Sequence, residues 1–109
     1  MPVQQLEQVL NEIQQTLNKI PHQNICQDLP PNNTHYTHYQ YLDGRIGKMI
    51  VKPTGQKLFV PIRIYQKIMS TVQLIRDNEK IYAHTQKGLD RLHPEEVLAI
   101  GTISHFLDL

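Results

Sequence analysis

Apolar residues recur through the first twenty positions at alternating steps of three and four: Val3, Leu6, Leu10, Ile13, Leu17 and Ile20. With 3.6 residues per turn, positions spaced this way stack along one face of a helix. The positions between them are mostly amides, among them Gln4, Gln8, Asn11, Gln15 and Asn18. The pattern predicts an N-terminal helix over residues 3–20, with Pro2 suited to its first turn and Pro21 stopping it. Leu6, Leu10, Ile13 and Leu17 make a narrow a/d seam and are the candidate partner-binding residues. A helix this short is marginal alone in water, so its stripe must be buried. Two sites of burial are open from sequence: the chain's own core, or a second chain.

The period is lost over residues 21–33, PHQNICQDLPPNN, which read as a Pro/Asn-rich loop. Residues 35–60 then read as a three-stranded antiparallel meander. Asp43-Gly44 is a two-residue hairpin turn joining 35–42 to 45–52. Pro53-Thr54-Gly55 suits a type I turn followed by a left-handed glycine, leading into Gln56–Val60. Helical spacing returns over residues 61–76, where Tyr65, Ile68, Met69, Val72 and Ile75 share a stripe. A strand running on through Ile64 is the rival there, because Leu58, Val60, Ile62 and Ile64 alternate. Residues 80–84 suggest a fourth short strand, and Gly88 a turn. The last helix, 94–107, opens on Pro94 with Glu95 and Glu96 in its first turn. It is apolar nearly all round and is expected to be buried, with Gly101 admitting a close neighbour. The fold class is α+β: N-terminal helix, three-stranded antiparallel meander, central helix and buried C-terminal helix. One small domain spans 1–109, divided into the helix at 1–20, the loop at 21–33 and an α+β core at 34–109.

Charge changes this picture more than composition does. Net charge is +1, yet residues 45–91 hold ten Lys or Arg against Asp77, Glu79 and Asp90, while both ends are acidic. In the expected hairpin, Tyr41 faces Ile46, Tyr39 faces Lys48, Thr37 faces Ile50 and His35 faces Lys52. Tyr39, Tyr41, Arg45, Lys48, Lys52 and Lys57 are therefore candidate nucleic-acid contacts, since aromatics stack bases and lysines reach phosphates. Arg63 and Lys67 would extend the field. The same tyrosines are also ordinary strand formers, and Ile46 and Ile50 on their face suggest a side packed on helices.

The repeated Thr-His-Tyr of residues 34–39 invites a metal reading, but strand alternation sends His35 and His38 to opposite faces. The remaining histidines lack ligand spacing and Cys26 has no second cysteine, so no metal and no cofactor are expected. There is no Gly-rich phosphate loop, nucleophile elbow or HExxH. A Cys26–His22 pair lacks a local group to orient the imidazole, so no enzyme is expected. MPVQQLEQVLNEIQQ has neither the basic nor the apolar region of a secretory signal, and no apolar run is long enough to span a bilayer. The expectation is a cytoplasmic, non-enzymatic accessory or adaptor protein acting through protein–protein contacts. Its partner would be itself, as a homo-oligomer, or another protein, and not a membrane. The alternative is a nucleic-acid-binding module in which the basic meander, residues 45–67, contacts DNA or RNA.

Overall fold

A computed structural model describes residues 2–21, 24–28 and 47–109. The elements run α1 (Val3–Lys19), β1 (Ile25–Asp28), β2 (Gly47–Val51), β3 (Lys57–Pro61), α2 (Ile62–Ser70), β4 (Gln73–Asp77), β5 (Lys80–Thr85), β6 (Gly88–Leu92) and α3 (Pro94–Phe106). They form two antiparallel three-stranded sheets, ordered β1-β2-β3 and β4-β5-β6. The chain is α+β, with the helix, meander, helix and helix in the expected order. The Asp43-Gly44 turn and the strand at 35–42 lie outside the described residues.

The seam of α1 packs inside its own chain. Leu6, Leu10, Ile13 and Leu17 are all at most 3 % exposed. They share one core with Ile50, Leu58 and Val60 of the first sheet, Leu74, Ala83 and Leu92 of the second, and Ala99, Ile100 and Ile103 of α3. Part of the amide-rich side is also engaged. Gln14 Nε2 donates to the carbonyls of Ile68 at 2.6 Å and Thr71 at 2.8 Å. Glu7 Oε2 accepts the Leu74 N–H at 2.8 Å.

The first meander is built from different residues than the hydropathy pattern indicates. Strand β2 pairs on one edge with β1, Gln27 opposite Lys48, and on the other with β3, Val60 opposite Lys48. β1 takes one edge of residues 47–50 and β3 the other edge of 47–51, so the described partner on the first edge is Ile25–Asp28, within the segment expected to be a loop. A four-residue strand is too short to show a period. Gly47 has a steric duty here: a Cβ on it would meet the Val60 carbonyl and lie 2.6 Å from the Phe59 ring. The turn at Pro53-Thr54-Gly55 follows expectation, with Gly55 at φ 93° and its N–H donated to the Lys52 carbonyl at 2.8 Å.

The helix expected over 61–76 stops at Ser70, and residues 73–77 form β4 instead. Leu74 and Ile75 are the only apolar residues of that segment, too few to fix a period, and pairing with β5 decides it. The stop is built locally. Thr71 returns both its N–H and its hydroxyl to the Lys67 carbonyl, and Gln14 takes the carbonyls that a continuing helix would use. A second meander follows, turning at Asn78-Glu79 and at Gln86-Lys87.

Helix α3 buries one face, through Glu96, Ala99, Ile100 and Ile103, while Leu98 stays 61 % exposed. Gly101 is on the exposed side, and a Cβ there would meet nothing within 4 Å, so it makes no close approach. Among the described residues no helix is long and apolar enough to cross a membrane.

Two stability outcomes follow from this packing. Leu10→Asp places an unpaired charge in the core and is expected to cost more than about 3 kcal/mol, with the same loss at every protein concentration in urea titrations. Gly101→Ala removes a helix-interior glycine without a clash and is expected to raise stability by about 0.5–1 kcal/mol, read as an upward shift in Tm.

Candidate functional site

Lysine 67, midway along α2, is the hub of the second half of the molecule. Its Nζ lies 2.7 Å from Glu96 Oε2 and 3.1 Å from Asp90 Oδ2, and donates to the Arg91 carbonyl at 3.0 Å. Glu96 is 3 % exposed, and its other oxygen accepts the His93 N–H at 2.8 Å. That is the reciprocal half of a capping box, so one carboxylate both caps α3 and neutralises α2's lysine. An isolated charge this deep would lose several kcal/mol of hydration, which the paired geometry offsets.

Beside this hub an open groove of about 720 Å³ runs between α2 and the β5–β6 hairpin. Arg63, Tyr65 and Met69 line it from the helix, and Lys87, Leu89 and Asp90 from the hairpin. Burial pushes the Tyr65 hydroxyl above the ordinary phenol value. Lys48 reaches over the same ring from the first sheet, its Nζ 5.7 Å from the centroid. Arg63, Lys87 and Arg91 are exposed and have no carboxylate partner among the described residues.

Among the described residues strand β6 ends its sheet, and the turn sets which of its amides face out. The two-residue turn Gln86-Lys87 makes Thr85 and Gly88 a hydrogen-bonded pair, and Ala83 and Asp90 the next. Leu89 and Arg91 therefore direct their main-chain N–H and C=O to the open edge. The Arg91 carbonyl is met there by Lys67. The Leu89 groups have no partner among the described residues. The Leu89 side chain stands on the outer sheet face beside His84, in register with it, and is 62 % exposed. Gln73, Ile75, His84 and Arg91 are exposed on that same face.

The residues singled out from sequence fall differently. Leu6, Leu10, Ile13 and Leu17 are core residues and present no surface to a partner, which corrects their reading as a contact stripe. A face buried against β4 and α3 has no apolar area left to offer.

Tyr39, Tyr41 and Arg45 lie outside the described residues, as do His22, His35 and His38. Lys48 and Lys52 do not form a shared basic platform. Ile50 between them is fully buried, and Lys48 is held over Tyr65. Lys52 donates to the Phe106 carbonyl at 2.9 Å and pairs with Asp108 at 3.2 Å. Its charge complements the carbonyl end of α3. Lys57 is exposed on the first sheet. Lys87, Leu89 and Arg91 escaped notice in the sequence. The signal for them was a second hairpin, KIYAHT and GLDRL flanking Gln-Lys, with the turn just before Gly88.

Among the described residues no group of three or more His, Cys, Asp or Glu could hold a metal ion. The chain matches no protein family, no curated protein and no solved structure.

The hub is open to a double-mutant cycle. Glu96→Gln alone leaves Lys67 short of its buried partner, and Lys67→Met alone leaves Glu96 buried with one hydrogen bond. Each single change is expected to cost about 3–5 kcal/mol, and the double variant clearly less than the sum. Additive losses in urea unfolding would show that the pair is not coupled.

Proposed function

We propose that this chain is a small, non-enzymatic accessory or adaptor protein of the cytoplasm that works by protein–protein contact, as part of an oligomer or complex. The contact surface in this reading is the β6 edge and the groove beside it, not the α1 seam. One observation carries it: among the described residues the main-chain groups of Leu89 are open at a strand edge, next to the exposed Leu89 side chain and an open groove. Proteins usually blunt such edges, because unpaired strand amides recruit other chains. The opposite edge of the same sheet is blunted here, with Glu7 covering the Leu74 N–H. Among the described residues the β6 edge is covered at Arg91 alone. Addition of a strand to an open edge is a common mode of peptide recognition.

The nucleic-acid reading has less behind it. Lys52 and Lys67, two of its cations, are engaged within the chain, and Asp90 brings a carboxylate to the groove wall.

A photo-crosslinking amino acid in place of Leu89, in the cells that make the protein, tests the reading. Discrete protein adducts are expected from position 89, to a second copy of the chain or to another protein. None is expected from the exposed Gln15 on α1. Nucleic-acid adducts alone, or no adduct at 89, would overturn it.

A further inference from the structure

We propose that the partner segment is an extended acidic peptide that pairs with β6 as a fourth strand, an inference that rests on the protein-contact reading above. The edge dictates the geometry. Partner residues beside Leu89 and Arg91 fall on the outer sheet face, and the residue between them faces the groove under α2. On the outer face Leu89, 62 % exposed, calls for an apolar neighbour. Arg91, exposed and without a carboxylate among the described residues, calls for an acidic one.

The groove side has the same sign. Arg63 on α2 and Lys87 in the turn border it with their charges uncompensated among the described residues. The one carboxylate on its wall, Asp90, is neutralised by Lys67 at 3.1 Å. Among the described residues the site thus presents three uncompensated cations around one open strand edge, and carboxylates on a strand complement both. A polynucleotide complements only the charge, since phosphodiesters offer no alternating N–H and C=O to Leu89. A basic segment would meet like charge at all three positions.

Selection from a random short-peptide library against the intact protein, at low salt, reads this chemistry without assuming a sequence. The selected pool is expected to be rich in Asp and Glu interleaved with β-branched or aromatic residues. Bound peptide is expected to slow hydrogen exchange at the Leu89 amide about tenfold or more. The variant Arg63→Glu/Lys87→Glu/Arg91→Glu is expected to select Lys and Arg instead. No enrichment, a pool without acidic excess, or acidic peptides that leave Leu89 exchange unchanged would overturn the proposal. The exchange measurement needs only the parent protein, so it stands even if the triple variant unfolds. Protein adducts at position 89 with a non-acidic pool would remove the acidic strand and leave the protein-contact reading; loss of both results removes both.

Discussion

Burial of the α1 stripe is the constraint on which the rest depends. Each sheet has only three strands and must cover one face with something apolar to be stable. Leu6, Leu10, Ile13 and Leu17 enter the one core that both sheets share, α1 lying against β4 and α3, and α3 closes that core through Ala99, Ile100 and Ile103. The polar groups on α1 then set details that packing alone would leave loose. Gln14 ends α2 by taking its last carbonyls, and Glu7 binds the edge of β4. One helix therefore packs on β4 and α3, stops α2 and protects a strand edge.

The uneven charge of the chain resolves into two kinds of cation. Lys52 and Lys67 act within the structure. Lys52 holds the C-terminal end of α3, and Lys67 ties α2 to β6 and to the start of α3. Arg63, Lys87 and Arg91 remain at the surface, gathered around one groove and one strand end. Because Lys67 fixes the position of α2 relative to β6, the internal ion pairs also set the geometry of the exposed charges.

The two edges of the second sheet differ for a physical reason that bears on function. Pairing of β4 to β5 leaves the Leu74 N–H pointing outward, where a carboxylate from α1 meets it at 2.8 Å. The corresponding cover on β6 is a lysine on the Arg91 carbonyl, and among the described residues the neighbouring Leu89 groups are open. Each edge is thus met by one side chain from a helix, a carboxylate on β4 and a lysine on β6, and among the described residues the uncompensated cations lie beside the β6 edge.

By itself the sequence determined the elements with strong local signals. The three-and-four spacing of Val3 to Ile20 specified α1, Pro53-Thr54-Gly55 specified its turn, and Pro94-Glu95-Glu96 specified the start of α3, because backbone restriction and helix periodicity act over a few residues. Only the tertiary structure decided where the α1 stripe is buried, since a stripe on an isolated helix carries no record of its partner. Pairing with β5 made a strand of Gln73–Asp77, whose two adjacent apolar residues fix no period, and pairing with β2 made one of Ile25–Asp28, too short to have a period. The candidate site was the least legible part. Arg63 on a helix and Lys87, Leu89 and Arg91 on a hairpin are separated along the chain, and it is the packing of α2 on the second sheet that brings them to one groove and one open edge.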